Sequence, residues 1–228
     1  MAYKYLLFDC DRTLLDFNKA MVNALKLMLT KYGFTVTDEM ISFYNSLNES
    51  LWKQLEEGLI TKEQLVHTRF PVMCSRYGVP YPGKEKMETD YFVSLAEGHD
   101  IMEGADEVLK NLYGRYGILV ITNGFVEVQK KRMSESGLMP YVDYVFISEA
   151  VGVSKPDPKF MDAVIAHIGD EDKSHYLIIG DSMNADIALG NNSGVDTVLV
   201  GSADAEGYDF QPTYRIETLK EIEKILEG

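Results

Sequence analysis

The sequence predicts an α/β protein in which a doubly wound parallel sheet is interrupted by an inserted all-helical domain. Three observations carry this. Short apolar runs recur through the second half of the chain with helical patterns between them, the signature of parallel strands joined by crossover helices. About 100 residues separate the first such run from the second. That interval has helical periodicity and no convincing strand.

Taken in order, the strands are expected at Tyr5 to Phe8, Ile118 to Ile121, Tyr144 to Ile147, Tyr176 to Ile179 and Thr197 to Val200, with a weaker one at Tyr214 to Ile216. Helices are expected at Ala105 to Tyr113, Val126 to Ser136 closed by Gly137, Pro158 to Ile168, and Ala185 to Asn191. In the third of these, Phe160, Val164, Ile165 and Ile168 fall on one stripe, and Pro158 suits a first helical turn. In the long interval, Met21, Ala24, Leu25, Met28, Leu29 and Tyr32 form an amphipathic stripe. Glu39 to Glu57 and Lys62 to Tyr77 continue in helical style, punctuated by Gly33, Gly58 and Gly78. The expected division is therefore an α/β core from residues 1–16 and 96–228, with a helical cap domain at 17–95.

Composition narrows the function. The chain has 228 residues, 46% of them hydrophobic and 25% charged, as in ordinary globular proteins. With 22 Lys and Arg against 36 Asp and Glu, the formal charge is −14, which argues against binding nucleic acid or anionic lipid. An anionic substrate must meet local positive charge. The two cysteines, Cys10 and Cys74, are far apart in sequence and indicate no disulfide framework. No apolar stretch reaches the roughly 18 residues that span a bilayer. The first strand follows Met1 too closely for a signal peptide, so the expected location is the cytoplasm.

Ligands of open parallel sheets bind beyond the carboxyl ends of the strands. After the first strand comes Asp9-Cys10-Asp11-Arg12-Thr13, and after the second Thr122-Asn123-Gly124. The loop beyond the third carries Ser154-Lys155-Pro156, and the fourth leads into Gly180-Asp181-Ser182-Met183-Asn184-Ala185-Asp186. Acidic groups, a hydroxyl and a lysine at one strand-end cleft are the parts needed to hold a divalent cation and a phosphate together. Each segment alone also fits blander chemistry: an Asp pair or Thr-Asn-Gly as turn residues, Asp186 as a helix cap, Lys155 as a solvated surface lysine. Cys10 reads as structural, because no histidine lies near it in sequence and its side chain alternates away from Asp9 and Asp11.

These four segments, D-x-D-x-T, T-N-G, Lys-Pro and G-D-S-x-x-x-D in register with strand ends, make the chain resemble a haloacid dehalogenase superfamily phosphatase with a Rossmann-like core and an inserted helical cap. The resemblance spans the whole chain. It implies that Asp9 is a nucleophile forming an aspartyl phosphate, and that Asp11 protonates the leaving alcohol and then activates water. It further implies Mg²⁺ held by Asp9, the Asp11 backbone carbonyl and Asp181, with Asp186 ordering that shell. Thr122, Asn123 and Lys155 would bind the transferring oxygens. Arg12 departs from the pattern, since relatives more often carry Gly or Glu there; it could draw phosphate in, or pair with Asp16 and face solvent, and the second is favoured.

Within that superfamily, Ile121 to Phe125, Ile147 to Pro156, Asn48 to Trp52 and His67 to Phe70 are similar to bacterial pyrimidine 5′-nucleotidases. This implies a Mg²⁺-dependent phosphomonoesterase acting on nucleoside 5′-monophosphates, as monomer or homodimer. Tyr44, Asn48 and Trp52 recur every four residues and either contact a base or fill the helical domain's core. Arg69 either reaches the phosphate or ribose, or makes an exposed salt bridge. The alternatives are a sugar-phosphate phosphatase, a phosphomutase of the β-phosphoglucomutase type, and, from another class, a phosphate-sensing regulatory domain.

Overall fold

The computed structural model describes residues 3–227 of the chain. In chain order the elements are β1 (Tyr5–Asp9), α1 (Phe17–Lys31), α2 (Asp38–Glu56), α3 (Lys62–Tyr77), α4 (Lys84–Ala96), α5 (Ala105–Leu112), β2 (Gly117–Thr122), α6 (Val126–Glu135), β3 (Tyr144–Ile147), α7 (Ser148–Val151), α8 (Pro158–Ile168), β4 (Tyr176–Gly180), α9 (Ala188–Ser193), β5 (Asp196–Val200), β6 (Tyr214–Ile216) and α10 (Ile222–Glu227). A π-helical turn, Met183–Ile187, leads into α9, in place of the start at Ala185 expected from the sequence. The chain divides into two compact units, Met1–Phe17 with His99–Gly228, and Asn18–Gly98.

The first unit holds one six-stranded sheet in the order β3-β2-β1-β4-β5-β6, every pair parallel. The strands read as unbroken apolar runs because both faces are covered. Along β1, Leu6 and Phe8 face a layer shared with Val108, Leu109 and Leu112 of α5, while Leu7 faces the opposite layer with Phe160, Met161 and Val164 of α8. All three β1 side chains are fully buried, and each contributes about 1.5–3 kcal/mol of burial. Strand order reverses between β1 and β4, and the carboxyl ends flanking such a switch point form a natural crevice.

The second unit consists of α1 to α4. Two starts are capped: the Thr37 hydroxyl accepts from Met40 N at 3.3 Å, and Thr61 with Gln64 forms a reciprocal capping box. The fourth helix was not singled out in the sequence, although Met87, Tyr91 and Leu95 recur at four-residue spacing and are buried. Tyr44 of α2 is fully buried and stacks on Phe70 of α3 at 5.5 Å, and Phe70 meets Tyr91 of α4 edge-on at 5.3 Å. Tyr44 thus fills the core of this unit. Beside these rings Arg69 and Glu88 form a buried ion pair at 3.0 Å, with the guanidinium 4.7 Å from the Tyr91 ring centre.

Burial raises the Glu88 pKa to about 7, against the opposing pull of Arg69; Tyr44 and Tyr81 are its other titratable neighbours. A carboxyl that binds its proton more tightly when folded stabilises below its unfolded value near 4.5 and loses that contribution as pH rises through about 7. Urea unfolding at pH 5 and pH 8 should therefore show a loss across this window that shrinks by about 1–3 kcal/mol in Glu88→Gln. An unchanged pH dependence in the variant would contradict the assignment.

Candidate active site

The site is built from loops that leave β1, β2 and β4 and from the segment that follows α7. Asp9 ends β1, is 7% exposed, and accepts from the Lys155 ammonium at 2.6 Å. The same ammonium bonds Asp186 Oδ1 at 2.6 Å and the Ile121 carbonyl at 2.9 Å, so all three of its protons are used. Burial opposes the charge on Lys155, but Asp186 and Asp9 outweigh it and hold its pKa above the ordinary lysine value. Lys155 is a buried ammonium, not a solvated surface lysine.

One carboxylate oxygen each from Asp9, Asp181 and Asp186 lies within 4.8 Å of the others. Burial pushes the Asp9 pKa up, as do Asp186, Asp181 and Asp11, with Lys155 opposing. Asp181 is pushed up to about 6 by burial and by Asp186, against the pull of Arg12. Three crowded carboxyls with hard oxygen donors and too little countercharge fit a small divalent cation, and their donor chemistry matches magnesium or calcium better than a soft metal. Asp186 is drawn in close: it also accepts from Ser182 N at 3.1 Å, and a Cβ at position 180 would overlap its carboxyl, which is why Gly180 is required there.

Arg12 lies in the left-handed region at φ 64°, the one non-glycine residue with positive φ among the described residues. That conformation costs roughly 1–2 kcal/mol in a residue with a Cβ and is one that glycine adopts without strain. Its Nε sits 2.7 Å from Asp181 Oδ2. The expectation that Arg12 pairs with Asp16 and faces solvent did not foresee this partner.

Asp11 is partly exposed, and its carboxyl is held by α6. Gln129 Nε2 donates to Asp11 Oδ2 at 2.8 Å and to Thr122 Oγ1 at 2.9 Å, and the Arg132 guanidinium donates to Asp11 Oδ1 and, at 3.0 Å, to Gln129 Oε1. Thr122 Oγ1 also accepts from Gly124 N at 3.1 Å. With both acceptor positions filled, the Thr122 hydroxyl keeps its proton to donate.

Asn123 was expected to bind substrate oxygens through its amide. In the structure its Nδ2 donates to the Lys155 carbonyl at 2.9 Å and its Oδ1 accepts from Lys155 N at 2.9 Å, so both ends of the side chain hold the backbone that carries the ammonium. The Lys155-Pro156 peptide is cis. Cys10 is fully buried, with its thiol 3.6 Å from the Met133 sulfur, where it packs.

The expected substrate contacts in the helical unit are spread differently. Arg69 is 2% exposed and held by Glu88, which replaces the exposed salt bridge or phosphate contact expected for it. Asn48 is buried and its Oδ1 has no hydrogen-bond partner among the described residues; Trp52 is half-buried.

Sequence reasoning missed Gln129 and Arg132, which are 1% and 0% exposed. A signal was present. Val128, Gln129, Arg132 and Met133 form the inward stripe of α6, so two polar residues occupy positions where an amphipathic helix normally places apolar ones.

The assembly offers a buried carboxylate beside a fixed ammonium, a second carboxyl two residues on, a donating hydroxyl and three carboxylates that could hold a hard cation. Those are the components of phosphoryl transfer. Residues 3–194 match the family model described as hydrolase, haloacid dehalogenase-like hydrolase. The chain is 36% identical over 225 residues to the HAD-hydrolase YfnB of Bacillus subtilis, covering 98% of this chain and 95% of that protein. It is 38% identical over 224 residues to the pyrimidine 5′-nucleotidase PynA of Streptococcus pneumoniae (97% and 94% covered). A magnesium-bound crystal structure of YfnB superposes with a TM-score of 0.95 at 35% identity, covering all of both chains. With its strand-end motifs, its sheet order and these relatives in agreement, the chain belongs to the haloacid dehalogenase-like hydrolases.

Proposed function

We propose that this protein is a Mg²⁺-dependent phosphomonoesterase that hydrolyses nucleoside 5′-monophosphates, pyrimidine nucleotides among them, through an aspartyl phosphate on Asp9. The observation that carries the reading is the convergence of Asp9, Asp181 and Asp186 around the Lys155 ammonium at the β1/β4 switch point. The choice of nucleotide draws on the relatives named pyrimidine 5′-nucleotidase, among them YjjG of Escherichia coli at 34% identity over 227 residues.

Asp9 attacks phosphorus, while the Thr122 hydroxyl donates to the transferring oxygens and the positive charge of Lys155 beside Asp9 offsets the charge that develops on them. Asp11 gives its proton to the departing alcohol oxygen, then takes one from the water that hydrolyses the phosphoenzyme. Asp9, Asp181, Asp186 and the Asp11 carbonyl are the groups assigned to the cation, which when bound neutralises charge between the carboxylates and the phosphate. Asn123 works indirectly, by fixing the backbone of Lys155. In the helical unit, Trp52 and the unsatisfied Asn48 Oδ1 are assigned to base recognition; Arg69 is not, because Glu88 holds it.

Phosphate release from a panel of nucleoside monophosphates, sugar phosphates and p-nitrophenyl phosphate tests this. Turnover should favour pyrimidine monophosphates, fall by more than about 10²-fold in EDTA, and return with added Mg²⁺. A preference for sugar phosphates would remove the nucleotidase assignment, and EDTA-insensitive turnover would remove the metal.

A further inference from the structure

We propose that Gln129 and Arg132 of α6 are positioning residues for the proton-transfer step, a clamp that fixes the Asp11 carboxyl and the Thr122 hydroxyl in one rigid arrangement. The proposal rests on the reading of Asp11 as acid and base. Gln129 spends its NH₂ on Asp11 Oδ2 and Thr122 Oγ1, and its carbonyl oxygen on Arg132. Reversing the amide would put its oxygen against two acceptors and its nitrogen against a cation, so its orientation is fixed by the network. Arg132 closes the ring by donating to Asp11 Oδ1.

The clamp is buried. Arg132 has no exposed surface, and its guanidinium stacks 5.8 Å from the Phe17 ring centre. A cation in that position needs acceptors for its protons, and Asp11 Oδ1 and Gln129 Oε1 supply them. Room for the Gln129 side chain comes from Gly124, where a Cβ would overlap it. Thus the T-N-G turn, read in the sequence as phosphate-binding, also seats the clamp.

Two donors use one lone-pair site on each Asp11 oxygen and leave the other sites for the transferred proton. When Asp9 Oδ forms its bond to phosphorus and the bond to the leaving oxygen breaks, the proton on Asp11 passes to that oxygen. The direction of that transfer is set by how the carboxyl is held. Holding it within hydrogen-bond reach of the leaving oxygen is what α6 contributes, without touching the substrate.

The test exploits leaving groups. An alkoxide needs a proton to depart, whereas p-nitrophenolate leaves without one. In Gln129→Leu, which keeps volume and removes both donors, kcat/KM for a nucleoside 5′-monophosphate should fall about 10²-fold while that for p-nitrophenyl phosphate falls less than about 10-fold. Arg132→Lys, which keeps the buried cation, should show the same split in smaller degree. Retained p-nitrophenyl phosphate turnover shows that the variants fold. Equal losses on both substrates, or no loss on either, would overturn the clamp. Asp11→Asn separates the two claims: if it shows the split and Gln129→Leu does not, only the clamp fails; if it does not, the acid/base reading fails and the clamp falls with it.

Discussion

Asp9→Asn should lower phosphate release by about four to six orders of magnitude while leaving the fold at least as stable as the wild type. The first half follows from the nucleophile assignment, since an amide cannot form the acyl phosphate. The second follows from electrostatics. Asp9 is buried, and Asp186, Asp181 and Asp11 all raise its pKa, with Lys155 alone among the main causes opposing them. Replacing it with a neutral isostere removes like-charge repulsion and a desolvated anion, and Lys155 retains Asp186 as partner. Thermal melting beside initial rates checks both halves. A variant inactive because it is unfolded, or one active within tenfold of wild type, would count against the account.

Lys155→Met is the second large effect, and here stability and activity fall together. The substitution keeps most of the volume but removes the ammonium that bonds Asp9, Asp186 and the Ile121 carbonyl. Two buried carboxylates are then left facing each other. Breaking a buried pair from one side costs about 3–5 kcal/mol, and losing a preorganised positive charge beside the transferring phosphoryl group costs about 10²–10³ in rate. The stability loss should be smaller at pH 5 than at pH 8, because Asp9, whose pKa burial already raises and Lys155 no longer lowers, can take up a proton at the lower pH. Urea unfolding at the two pH values measures this. A loss independent of pH would mean that packing, not charge, is what Lys155 provides.

How much of this could be read from the sequence follows from how locally each feature is encoded. Strands β1 to β5 were legible because a sheet covered on both faces forces contiguous apolar runs, such as Leu6, Leu7 and Phe8. The strand-end residues were legible because their chemistry sits in short contiguous segments, and sheet order then brings Asp9 and Asp181 together. Gln129 and Arg132 were not, because polar side chains on a helix usually face water. Only tertiary packing tells that this stripe turns inward onto Asp11. The hold of Asn123 on Lys155 was not legible for a related reason: an amide beside a phosphate motif reads as a donor to substrate, and only the folded loop shows both of its ends on the Lys155 backbone. Arg69 was likewise given an outward role because Glu88, its partner, lies 19 residues away on a helix the sequence reading passed over.

The claim on which the rest depends is that phosphorus becomes bonded to Asp9. The direct measurement is to mix enzyme, Mg²⁺ and p-nitrophenyl phosphate, whose leaving group departs without a proton from Asp11, quench in acid, reduce with borohydride and map the peptides, using wild type and Asp11→Asn, in which hydrolysis of the phosphoenzyme is slowed. Borohydride converts an aspartyl phosphate to homoserine. The account expects homoserine at position 9, dependent on substrate and metal and more abundant in Asp11→Asn. p-Nitrophenolate released by both proteins while position 9 remains aspartate, or homoserine at another position, would contradict it.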